Sequence, residues 1–120
     1  MTKHFSFSHL ENEMIHQFRE RINHSEDLTD LEKLFSRTAV DLVRKALADE
    51  VPVKHDDIVF DPNQNGFFRF SRRLLENNQF GSKLEQSDLG QVLGRFAASA
   101  HHRYVHLRRN PKNTESKIRV

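Results

Sequence analysis

Cysteine is absent from this chain of 120 residues, which excludes a disulfide framework, a thiolate nucleophile and any cysteine-ligated zinc or iron–sulfur site. Long apolar runs are missing as well. No stretch approaches the roughly 20 apolar residues that a membrane-spanning helix requires, and Met1-Thr2-Lys3-His4 leads into alternating polar and aromatic residues with no apolar signal region. A cytoplasmic location is therefore expected. The sequence also lacks a G-x-S-x-G elbow, a glycine-rich phosphate loop and an H-E-x-x-H pair. Its adjacent acids, Asp49-Glu50 and Asp56-Asp57, diverge as chain neighbours do. Nothing here points to catalysis, a cofactor or a small-molecule substrate, and a protein that acts by binding is expected.

What is present is enough to fold. Leu, Ile, Val and Phe together make 34 of the 120 residues, above the roughly 20% below which chains stay disordered. The length suits one domain. Mean hydropathy is −0.75, so the core is thin, and thin cores are often completed by a partner or a second copy of the chain.

Helical periodicity dominates. Ser8-His9-Leu10-Glu11 has capping-box spacing, and Leu10, Met14, Ile15, Phe18 and Ile22 follow at helical intervals, predicting a helix over about 9–23. A second box, Thr29-Asp30-Leu31-Glu32, opens the strongest stripe, which predicts a helix to about Asp49 before Val51-Pro52. Its apolar face is wide enough for two neighbours. Ser87, with Asp88 in the first turn, is expected to cap a last helix whose face is Leu89, Val92, Leu93, Phe96, Ala97, Ala100, Tyr104 and Leu107. The expected core is Leu31, Leu34, Phe35, Leu42, Val43, Leu89, Leu93 and Phe96.

Between these, residues 57–70 admit either a short β-hairpin around the turn formers Asp61 to Gly66 or an extended piece. A helix over about 70–77 is the preferred continuation, with Asn77 to Ser82 as a loop. The expected fold is thus mainly all-α, a small four-helix domain over residues 1–110 with a flexible basic tail over 111–120.

Four features bear on function. Gly90 and Gly94, with Ala97 and Ala98, line one side of the last helix. Each glycine costs about 1 kcal/mol in a helix interior, so a close backbone approach is expected there, from within the fold or from a second copy. Asp61-Pro62-Asn63-Gln64-Asn65-Gly66 has the first half of a calcium loop, but its closing position falls on Arg72, so a polar turn is expected. Among eight histidines, His102 and His106 have the i, i+4 spacing that can present two imidazoles to a metal. Finally, residues 101–120 carry six cations against one acid, a net of +5 that leaves −3 on the rest.

The leading expectation is a small helical interaction or regulatory module, dimeric, acting on a protein partner. The rival is a nucleic-acid-binding module whose basic face is Arg69, Arg72, Arg73, Arg103, Arg108, Arg109 and Lys112, interleaved near its start with Phe67, Phe68 and Phe70. A third is a metal-dependent protein centred on His102 and His106.

Overall fold

The second helix organises the molecule, because its apolar positions cover more than half its circumference and so need several neighbours. The computed structural model describes residues 6–109. Within them lie α1 (Ser8–Asn23), α2 (Leu28–Ala46), β1 (Ile58–Phe60), β2 (Phe68–Phe70), α3 (Arg72–Leu75), α4 (Asn78–Glu85) and α5 (Leu89–Arg109). The domain is mainly α-helical, as expected. α2 packs against α1, α5 and β1, and α1 also packs against α5.

The core follows from these contacts. Leu31, Phe35, Leu42 and Val43 from α2 meet Leu89, Leu93 and Phe96 from α5, all fully buried. Ile15, Phe18 and Ile22 close it from α1, with the Phe18 and Phe96 rings 5.2 Å apart. Of the expected core, Leu34 alone is only partly buried. It sits where α1 and α2 splay apart over a cleft.

Helix starts differ from the two expected boxes. Ser8 is already helical, and Phe7 occupies the N-cap position without a side-chain cap. The Phe7 N–H donates instead to the Asp88 carboxylate at 2.8 Å. That acid therefore ties the start of α1 to the start of α5. Glu11 does not fold back; it accepts two hydrogen bonds from Arg95, at 2.6 and 2.9 Å. At α2 the cap is Asp27, whose carboxylate accepts from the Asp30 N–H at 2.9 Å. Asp30 reaches back to the Glu26 N–H, so the working reciprocal cap lies two residues before the expected one. Nested Asp, Thr and Glu positions make both frames plausible by spacing, and the packing of Leu31 selects one.

The far end of α2 also stops early. Leu47 is the C-cap, and Ala48 and Asp49 take left-handed φ values of 50° and 60°. The Asp49 N–H closes on the Arg44 carbonyl at 2.9 Å.

Residues 57–70 form the hairpin rather than the extended alternative. Ile58 pairs with Phe70, Val59 with Arg69 and Phe60 with Phe68. Gly66 and Phe67 turn the chain at φ 87° and 70°. Phe70 therefore belongs to a strand, and the helix expected over 70–77 shrinks to the single turn of α3. Its cap is Ser71, whose hydroxyl accepts from the Leu74 N–H. The expected loop after it is helical: Asn77 caps α4 through the Phe80 N–H at 2.9 Å, and Phe80 is buried against Phe70. Five helices are thus described where four were expected, the added one drawn into the fold by a single buried ring.

Candidate functional site

A cleft of about 430 Å³ runs between α1 and α2. Helical spacing builds it. Met14, Phe18 and Arg21 descend one side of α1, while Leu34, Arg37, Asp41 and Arg44 follow α2. Phe18 and Val40 are buried in its floor, with Met14 and Leu34 half-buried at its edges. Charge lines the rim: Arg21, Arg37, Arg44 and Lys45 face two carboxylates, Glu13 and Asp41, with His55 at one end.

The partners of these cations set the site apart. Asp41 is taken by Lys45, one helical turn on, at 3.5 Å. The Arg44 guanidinium is committed to the Val53 carbonyl. Among the described residues, Arg21 on one wall and Arg37 on the other have no hydrogen-bond or ion-pair partner. Among the described arginines, only Arg109 shares that condition. An arginine offers five donors in a planar fork that matches carboxylate and phosphate oxygens. Two such forks over an apolar floor can hold an anionic group while its apolar neighbours bury against Met14, Phe18 and Leu34.

The expected basic face is not one face. Arg69 pairs with Asp61 at 3.3 Å, and Arg72 with Glu76 at 3.3 Å. Arg73 binds the Asp57 carboxylate and the Pro52 carbonyl. Arg103 donates to the Ser25 carbonyl at 2.6 Å, and Arg108 lies over the Tyr104 ring. Arg109 has no partner among the described residues, and Lys112 lies outside them. Sequence order had gathered these arginines; tertiary structure spends most of them on carbonyls and acids of its own.

Asp57 is the centre of one such set. It is buried, and accepts from the Lys54 N–H at 2.7 Å, the Ser71 hydroxyl and Arg73. Burial pushes its carboxyl up, but the three donors outweigh that and hold it below the usual aspartate value. The role is structural: Asp57 clamps the 54–57 turn to the cap of α3.

The small-residue side of α5 also differs from expectation. A Cβ on Gly94 would meet nothing within 4 Å, and one on Gly90 only a Leu84 methyl at 3.7 Å. Among the described residues, no backbone approaches closely there. Ala97 points into the core and Ala98 is exposed, because neighbours on a helix diverge by about 100° and cannot share one groove. His102 and His106 are exposed one turn apart, and among the described residues no group of three or more His, Cys, Asp or Glu is placed to hold a metal. Asp61 to Gly66 is the hairpin turn, with Asp61 accepting from the Asn63 N–H.

Arg21 and Arg37 were not singled out from sequence, although a signal existed. Arg21 has no acid three or four residues away on either side, and the one acid so placed for Arg37, Asp41, is equally placed for Lys45. What fold and cleft define together is a small, mostly helical domain with a cationic groove. No protein-family model, curated protein or solved structure matches the chain, and among the described residues no helix is long and apolar enough to cross a membrane.

Proposed function

We propose that this protein is an interaction module that binds an acidic, amphipathic helix of a partner protein in the α1–α2 cleft. The observation that carries this reading is the pair Arg21 and Arg37, without a partner among the described residues, on the two walls above an apolar floor. Two packed helices with a groove between them are completed by a third helix, whose apolar stripe enters the groove at i, i+3, i+4 and i+7. Cationic rims select acidic flanks and speed encounter. A second copy of the chain is not needed for the cleft to work.

The test uses a designed helical peptide with a leucine stripe and glutamate flanks, and a twin with lysine flanks. Fluorescence anisotropy should show salt-sensitive binding of the acidic peptide and at least about tenfold weaker binding of the basic twin. Arg21→Gln with Arg37→Gln should weaken the acidic peptide by about a hundredfold or more, each lost charge-assisted hydrogen bond contributing on the order of 1.5–3 kcal/mol. Equal affinity for both peptides, or an indifferent double variant, would overturn the reading.

A further inference from the structure

A second depression, of about 420 Å³, lies between the hairpin turn and the end of α5. Pro62 and Asn63 form one side; His101, Tyr104, Arg108 and Arg109 form the other. Two rings here are braced from behind. The His101 imidazole stacks on Phe67 at 3.8 Å and 9° from parallel. Tyr104 lies 5.9 Å from His101 and is backed by the buried Phe60 ring at 5.8 Å. Phe67 holds a left-handed φ of 70°, a strained backbone for a bulky residue, and its stack on His101 is a contact that offsets the strain.

Cations stand beside these rings. The Arg108 guanidinium lies over Tyr104 at 5.7 Å and donates to its hydroxyl at 3.2 Å. Arg109 has no side-chain partner among the described residues. Among the described residues no acid lines this depression, and neighbouring Asp61 is already engaged by Arg69.

We infer that this second site binds single-stranded nucleic acid, separately from the α1–α2 cleft. Arginines engage backbone phosphates, while an exposed base packs on the Tyr104–His101 surface. Any base has a π-face, so binding should tolerate sequence. Bases inside a duplex are already stacked and cannot reach the rings, so single strands should be preferred.

The experiment titrates the full chain into fluorescein-labelled oligothymidylate, oligouridylate and a duplex of equal length across a salt series. Both single strands should bind, with log affinity falling linearly in log salt at about −0.7 per phosphate contacted. The duplex should bind about tenfold more weakly. Arg108→Gln with Arg109→Gln should make the slope shallower by about 1.4, two contacts' worth. Tyr104→Leu should lower affinity about tenfold; His101→Ala, which leaves the Phe60 contact in place, should lower it in the same direction. Arg21→Gln with Arg37→Gln should leave strand binding unchanged, so this site and the cleft fail or succeed apart. No binding at low salt, equal affinity for duplex, or loss through the Arg21 and Arg37 changes instead would overturn the assignment. So would displacement of the strand by a polyglutamate peptide of matching affinity, which would give the site to an acidic protein.

Discussion

Arg73 and Arg37 are both exposed arginines, yet one is bound into the fold and the other is not. In the segment from Pro52 to Asn77, Arg69, Arg72 and Arg73 each hold an acid, and Arg73 closes on the buried Asp57. Along the α1–α2 cleft, Arg21 and Arg37 hold nothing, although Asp41 is within one helical turn of Arg37. The segment has little regular structure, two three-residue strands and one helical turn, so charged side chains must supply the connections that a helix makes through its own backbone. The two helices have no such need, and their arginines are left facing solvent and whatever enters the groove. Charge in the first region maintains shape; charge in the second is available for binding.

The largest expected effect tests the core beneath both regions. Leu42→Ala or Leu93→Ala removes a fully buried side chain and should cost about 2–5 kcal/mol in chemical denaturation. Leu34→Ala, at the half-buried edge of the cleft, should cost clearly less. If Leu34 proved as costly as Leu42, the cleft would be closed in solution.

Asp57→Asn comes next and probes the first region directly. It leaves Arg73 without its counter-ion and weakens two further hydrogen bonds, which should cost about 1–3 kcal/mol. The same carboxylate sets a pH dependence. Its folded pKa lies below the unfolded value of 3.8, so its contribution is complete above that value and disappears as pH falls through the folded pKa. The melting-temperature gap between the wild type and Asp57→Asn should therefore be widest above about pH 5 and narrow steadily below pH 3.8. A gap that widens in acid would contradict the clamp.

Gly94→Ala should stabilise the protein by about 1 kcal/mol, since α5 gains helix propensity and the new methyl meets no atom within 4 Å. Thermal unfolding of the isolated chain checks this, and a loss of stability would mean that a second copy packs on that face. The smallest effect belongs to the cleft. Arg21→Gln with Arg37→Gln should shift stability by no more than about 0.5 kcal/mol. A cost above 1 kcal/mol would erase the contrast between the two regions.

Periodicity alone carried much of the fold. The repeats through Leu31 to Val43 and Leu89 to Tyr104 determined α2 and α5, because a helix commits its side chains to faces by spacing. It also set the first helix, and the turn formers at Asp61 to Gly66 marked the hairpin as one of two readings. The short elements were decided elsewhere. Phe70 could serve a helix or a strand, and its pairing with Ile58 and its contact with Phe80 chose the strand. Asn77 to Ser82 reads as a loop until burial of Phe80 draws it into α4. The fate of each arginine was likewise invisible in the sequence. Composition and spacing counted the cations correctly, but a salt bridge depends on which acids and carbonyls the chain brings within reach. Asp57 meets Arg73 from 16 residues away, and Ser25 meets Arg103 from 78. Which charges are consumed in holding the fold and which stay available is therefore a property of the tertiary structure, because it is a matter of distance in space between residues remote along the chain.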